Sequence, residues 1–64
     1  MPMVRVELFK GKSRDEKRAL AEEITQALMR TVGSKREAVW VVIDEVEKED
    51  WAFGGELGCD KFPD

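Results

Sequence analysis

Two short segments with alternating apolar residues flank one longer segment with helical periodicity, and this order constrains the fold more than any other feature. Residues 3–9 (MVRVELF) and 38–46 (AVWVVIDEV) both repeat with a period of two, which predicts β-strands. Strands joined through a helix run parallel with a right-handed crossover. The sequence therefore predicts an α/β fold built on a short βαβ unit with parallel strands.

Signals for the ends of the helix stand where this fold needs them. Ser13 and Glu16 have the spacing of a capping box, and Gly33 supplies a stop, which predicts a helix from about Arg14 to Val32. Its apolar stripe consists of five residues at helical spacing: Leu20, Ile24, Ala27, Leu28 and Val32.

The chain after the second strand is short. In WAFGGEL the pair Gly54 and Gly55 predicts a tight turn, and hence a C-terminal hairpin. The remaining segment, residues 58–64 (GCDKFPD), is polar and is expected to be loosely held.

The length of 64 residues allows one domain, residues 1–64, with a small core. Cys59 is the only cysteine and there is no histidine, so disulfides and structural zinc do not explain how such a chain is stabilised. One helix covers one face of a two-stranded sheet and leaves both edges open. We therefore expect an oligomer, at least a dimer.

Charge excludes several classes of function. The net charge of −3, with 39% charged residues, argues against nucleic-acid binding and against a basic membrane-binding surface. No apolar run approaches the ~18 residues of a membrane span, and a cytoplasmic location is expected. One acidic run lacks metal-ligand spacing and is interpreted as a solvated face: Asp44, Glu45, Glu47, Glu49 and Asp50.

The absence of His and Tyr limits acid–base chemistry. A general base that works near pH 7 needs a pKa near that value. The candidates are Cys59, a carboxylate raised or a lysine lowered by burial, and the terminal amine. Only the amine has an ordinary pKa close to neutral, ~7.7–8.0.

The combination of these features resembles the 4-oxalocrotonate tautomerase family. The resemblance runs over about residues 2–58 and rests on the initial Met-Pro, VRVELF, the KGKS loop, the capped helix, VWVVIDEV and the GGEL ending. It implies a tautomerase-type fold assembled as an oligomer, a hexamer in this family, with no cofactor and no metal. It also implies that Met1 is removed and that the free amine of Pro2 is the catalytic base, with a pKa lowered by apolar surroundings and a nearby cation.

Three substrate-contacting positions of the family differ in this chain. Carried over by position, the first substrate-binding arginine falls on Lys12, the second on Trp40 and a phenylalanine on Trp51. Lys12 keeps the charge without the bidentate fork of arginine. Trp40 keeps no charge and offers an aromatic face and one indole N–H, and packing in the core or between subunits is favoured over a substrate contact. Trp51 remains a large apolar wall suited to a flat conjugated substrate.

Additional lining residues are expected from Phe9 and Phe53, and Arg36 is a candidate replacement cation. One cation in place of two favours a monocarboxylate enol or keto acid, such as a phenylpyruvate-type acid, over a dicarboxylate. Phe53 stands where the family's hydrating branches are expected to carry a carboxylate, which argues against water addition. The competing hypothesis is a non-catalytic subunit, in a homo-oligomer or a mixed assembly.

Overall fold

The computed structural model describes residues 2–63, and its main unit is a two-stranded parallel sheet crossed by one helix. Strand β1 spans Met3–Phe9, helix α1 spans Arg14–Val32 and strand β2 spans Trp40–Val46. The parallel register pairs Met3 with Trp40 at one end and Phe9 with Val46 at the other. The predicted α/β class and parallel βαβ unit are confirmed.

Both ends of α1 follow the sequence signals. The Ser13 hydroxyl accepts a hydrogen bond from the Glu16 backbone N–H at 3.1 Å, and the Glu16 carboxylate accepts one from the Ser13 N–H at 2.9 Å. Gly33 ends the helix in the left-handed region, at φ 71°. Four members of the predicted stripe are half-buried, but Val32 is 65% exposed in the last turn, where the chain leaves the helix.

The two faces of the sheet have different surroundings. Val4, Val6 and Leu8 of β1 are half-buried on the helix side, where the parallel register also places Val41 and Ile43. The opposite side, called the open face here, has no layer packed on it within residues 2–63. The open face carries an ion pair between Arg5 and Asp44 at 2.6 Å. The other side chains that alternate onto this face from β1 and β2 are those of Met3, Glu7, Phe9, Trp40, Val42 and Val46.

Strand β2 starts two residues later than predicted. Residues 36–38 form a 3₁₀ turn, in which the Ala38 N–H donates to the Lys35 carbonyl. Pairing begins at Trp40, whose N–H donates to the Pro2 carbonyl at 2.9 Å. The strand therefore begins where its partner strand becomes available, and Ala38 and Val39 precede it.

The C-terminal hairpin is confirmed, but the prediction of a loose tail is wrong. Strands β3 (Ala52–Phe53) and β4 (Glu56–Leu57) pair antiparallel around Gly54 and Gly55, whose φ angles are 58° and 93°. The chain continues directly into a short helix, α2 (Gly58–Lys61). Gly58 is buried and the following Phe62 contacts other aromatic rings, so the tail is packed through residue 62. Asp64 lies outside the described residues.

Residues 2–63 include no fully buried apolar side chain. Met3 is 50% and Trp40 54% exposed, and the subunit measures 42 × 25 × 14 Å. The radius of gyration is 14.7 Å, whereas a compact chain of this length has a radius of about 11 Å. The helices of the described range are too short or too polar to cross a bilayer.

Candidate active site

Pro2 immediately precedes β1 and is anchored by its backbone. Its carbonyl accepts the Trp40 N–H, and its side chain is half-buried. Trp40 lies next to it on the open face of the sheet and is 54% exposed. The predicted removal of Met1 concerns a residue outside the described range. Within one subunit, Pro2 and Trp40 thus define one end of the sheet, called the proline end here.

Four aromatic side chains meet at the opposite end of β1. Phe9 ends the strand, and its ring centroid lies 4.7 Å from that of Trp51 in an edge-to-face contact. Trp51 stacks on Phe53 at 6.2 Å with an interplanar angle of 15°. Phe62 completes this group, and we call the four residues the aromatic cluster. The structure therefore brings together three predicted lining residues and adds Phe62.

Phe62 was not predicted from the sequence as a site residue. Its segment is polar, and the contact arises because helix α2 turns the chain back towards Phe9. The Phe62 N–H donates to the Gly58 carbonyl at 2.8 Å. An aromatic residue four positions after a glycine is the only signal in the sequence, and many surface turns share it.

Lys12 lies on the loop that follows β1, at the same end as the aromatic cluster. It lines a pocket of about 290 Å³ with Leu8, Glu16, Lys17 and Leu20. The pKa of Glu16 is held below its ordinary value mainly by hydrogen bonds from Ser13, with a smaller contribution from the charge of Lys12. Lys12 is exposed and borders this small apolar pocket, which lies on the helix side of the sheet between Leu8 and Leu20.

Glu45 fixes the loop that carries Lys12. Its carboxylate accepts a hydrogen bond from the Gly11 N–H at 3.2 Å and forms an ion pair with the Lys17 ammonium. The Lys17 hydrogen bond is the main cause of the lowered pKa of Glu45, and the Gly11 N–H is the second. A residue of β2 thus ties the loop after β1 to the helix.

Arg36 is engaged by the scaffold. Its guanidinium forms a two-point contact with Glu22, at 2.9 and 2.8 Å. This contact, followed by the hydrogen bond from Gln26, lowers the pKa of Glu22 to about 2. Arg36 therefore joins the middle of α1 to the turn before β2, and it reaches a substrate only by leaving Glu22.

Three carboxylates of the acidic run face cations. Asp44 pairs with Arg5 and Glu45 with Lys17, while Glu47 lies 3.0 Å from the Lys10 ammonium. In the described part of the chain, no three His, Cys, Asp or Glu side chains converge as a metal site. The acidic run thus lies at the surface, as expected, and three of its five carboxylates form ion pairs there.

The proline end and the aromatic cluster of one subunit are far apart. Phe9 lies seven residues after Pro2, which corresponds to roughly 23 Å of extended chain. Lys12 lies three residues further on, at the end of the aromatic cluster. One subunit therefore holds the predicted base at one end of its sheet and most of the predicted substrate-contacting residues at the other.

Comparison with known proteins gives a consistent result. The Tautomerase enzyme family matches residues 2–60. A probable tautomerase of Streptococcus pneumoniae is 39% identical over 57 residues, covering 89% of this chain and 95% of the relative. TomN, a 4-oxalocrotonate tautomerase homologue of the tomaymycin biosynthetic pathway, has a TM-score of 0.91 at 38% identity, covering 94% of this chain and 92% of TomN.

A further solved structure extends the same agreement. One of the 4-oxalocrotonate tautomerase isozymes from Methylibium petroleiphilum has a TM-score of 0.84 at 40% identity, covering 89% of this chain and 92% of that protein. Sequence and fold agree from Pro2 through the start of α2, the region that contains both ends of the sheet. The chain therefore belongs to the tautomerase family of enzymes.

Proposed function

We propose that this enzyme moves a proton within a small unsaturated 2-hydroxy or 2-keto monoacid, with the amine of Pro2 as base and then acid. The observation that carries the proposal is the family match, which begins at Pro2 itself. With no His or Tyr in the chain, the terminal amine is also the group with an ordinary pKa nearest to neutral.

The proton balance of this reaction needs no cofactor. The neutral secondary amine of Pro2 accepts the proton of the enol hydroxyl while the electron pair moves into the conjugated system. The ammonium then returns a proton to a carbon of that system, which gives the keto isomer and restores the neutral amine. Loss of Met1 is required, because an amide nitrogen at Pro2 is not basic.

A site made by two subunits accounts for the separation seen in one subunit. A second copy in which β1 runs in the opposite direction would bring its proline end to the aromatic cluster of the first. The exposed Trp40 and Met3 and the open edge of β1 favour such an association. We therefore propose a homo-oligomer, at least a dimer and by resemblance a hexamer.

The substrate is assigned from the side chains at the aromatic-cluster end. Lys12 provides a cation beside an apolar pocket and is proposed to hold the carboxylate. Phe9, Trp51 and Phe53 provide apolar walls that exclude water and contact the flat conjugated chain. Trp40 brings an indole in place of a second cation, which favours a monoacid. Arg36 is the alternative cation, at the cost of its contact with Glu22.

A non-catalytic subunit is the second candidate. The observation that favours it is Trp40, 54% exposed where the family carries a substrate-binding arginine. In that case the chain would pair with a different tautomerase subunit that supplies the missing cation.

The test is a keto–enol assay with 2-hydroxymuconate and phenylenolpyruvate. Protein free of Met1 should ketonise at least one of them, and Met1-retaining protein should be inactive. Pro2→Ala should keep part of the rate, because a primary amine remains at that place. Its loss of rate should be smaller than the 10²–10⁴-fold that a general acid–base group typically contributes. Equal turnover with and without Met1, checked by intact mass, would disprove the amine mechanism. An inactive processed protein would favour the non-catalytic subunit.

A further inference from the structure

Phe62 extends the aromatic cluster outward. Its ring centroid lies 5.7 Å from that of Phe53, at an interplanar angle of 85°, and 6.2 Å from that of Phe9. Phe62 is nevertheless 45% exposed and Phe53 38% exposed. The ring is therefore held in contact with the cluster without being buried by it, and it presents apolar surface beside Phe53.

The backbone of the tail is built to hold Phe62 in this place. Gly58 is buried, and its N–H donates to the Trp51 carbonyl at 2.6 Å. A Cβ at position 58 would lie only 2.9 Å from the Lys48 carbonyl oxygen, so a side chain there would displace the tail. The Lys48 ammonium donates to the Phe62 carbonyl at 2.9 Å. Two residues that are not aromatic thus fix the position of the outermost ring.

Charge around the outer ring indicates which kind of molecule it contacts. The Lys61 ammonium lies 5.8 Å from the centre of the Phe62 ring. Lys12 lies at the same end of β1, on the loop after Phe9. The Lys61 ammonium beside this flat apolar ring complements an anion with a flat apolar body, and a monocarboxylate with an aryl group has that composition.

We propose that Phe62 is a specificity-determining residue, whose ring forms the outer wall against which the aryl end of an enol monoacid packs. The inference rests on the proposed function, which places proton transfer beside the aromatic cluster. It assigns the substrate class more narrowly, because a linear dienoate would fill the inner part of the site and leave Phe62 uncovered. Aryl-substituted monoacids should therefore be preferred over linear ones.

The test compares the binding of two unreactive monoacids by calorimetric titration. Cinnamate carries an aryl group and sorbate a linear diene, and both have one carboxylate. Phe62→Ala should weaken cinnamate binding roughly three- to tenfold, the equivalent of one aromatic contact, and change sorbate binding less than about twofold. Phe62→Leu should fall between, because it keeps apolar volume but no ring.

Several outcomes would overturn the inference. Equal weakening of both acids, or a change in sedimentation coefficient on Phe62→Ala, would make Phe62 a packing or subunit-contact residue. Unchanged cinnamate binding, or no binding of either acid to the unaltered protein, would also disprove it. The keto–enol assay separates this inference from the proposed function. If the protein turns over both enols but Phe62→Ala leaves cinnamate binding unchanged, only the inference is refuted. If Phe62→Ala selectively weakens cinnamate binding in a protein that turns over neither enol, only the proposed function is refuted.

Discussion

At the scale of single residues, the proposed role of Lys12 in holding a substrate acid depends on how lysine differs from arginine. Lysine offers a point charge on a flexible stem, whereas arginine offers a planar fork that grips both carboxylate oxygens. Lys12 is exposed and borders an apolar pocket, so its flexible stem can contact apolar surface while the ammonium group stays in water. The same charge can also disfavour protonation of an amine brought close to it by a second subunit.

Lys12→Ala is therefore expected to raise KM for enol monoacids and to move the pH–rate profile to higher pH. A lysine with only a surface role would not produce both effects. Lys10→Ala is the matched control, because it removes the same charge only two residues away. The Lys10 ammonium is already paired with Glu47. Initial rates between pH 5 and 9 measure both effects. Unchanged kinetics for Lys12→Ala would place the carboxylate elsewhere, and Arg36 would be examined first.

Trp40 gives a second prediction at this scale. Because its indole carries no charge, monoacid enols should be processed at least as well as the matching diacids at equal concentration. Trp40→Arg should restore a cation at the proline end and raise kcat/KM for a diacid about tenfold or more, as a charge-assisted contact allows. Trp40→Gln is the uncharged control and should not favour the diacid. A strong diacid preference in the unaltered protein would contradict this assignment.

At the scale of elements, local signals were readable from the sequence and long-range contacts were not. Helix α1 begins and ends as predicted because each of its end signals is local. Ser13 and Glu16 cap the first turn, and Gly33 ends the last turn. The start of β2 depends instead on a hydrogen bond to Pro2, 38 residues earlier in the chain. The packed tail depends on a hydrogen bond from Gly58 to Trp51. Phe62 was missed for the same reason, since nothing near it in sequence marks its partners.

The contact between Arg36 and Glu22 gives a prediction about pH and stability. The pKa of Glu22 falls from 4.5 to about 2 on folding, so its contribution to stability is complete above about pH 4.5 and is lost as the pH falls towards 2. Because the pair is half-exposed, the contribution is screened and modest. Urea midpoints at pH 6 and pH 3 should differ less in Arg36→Gln than in the unaltered protein.

Lys35→Gln is the matched control for this experiment, with the same change of charge at the neighbouring exposed residue. It should keep the full pH dependence that Glu16, Glu22 and Glu45 produce together, since all three carboxyls have lowered pKa values. If the Arg36→Gln protein loses as much stability between pH 6 and pH 3 as the control does, the lowered pKa of Glu22 does not depend on Arg36.

At the scale of the whole molecule, the single chain buries little apolar surface. Its helix covers one face of the sheet, and the described residues include no fully buried apolar side chain. Exposed apolar residues on the open face, such as Met3 and Trp40, supply the surface that association would remove from water. Composition pointed to an oligomer, but the division of the candidate site between the two ends of β1 became visible only from the parallel register.

That division can be tested by mixing two inactive variants. Pro2→Leu should retain Met1 and lack the base, while Lys12→Glu should repel the substrate carboxylate. If each site takes Pro2 from one subunit and Lys12 from another, subunits unfolded together and reassembled at a one-to-one ratio should recover about a quarter of the unaltered activity, because random pairing leaves that share of sites intact. Each variant refolded alone serves as the control and should remain inactive.

If Pro2 and Lys12 of the same subunit form the site, every site in the mixture lacks one of them and no activity returns. Recovery proportional to the product of the two subunit fractions would show that neighbouring subunits share the reaction, in agreement with the roughly 23 Å of extended chain between Pro2 and Phe9 of one subunit.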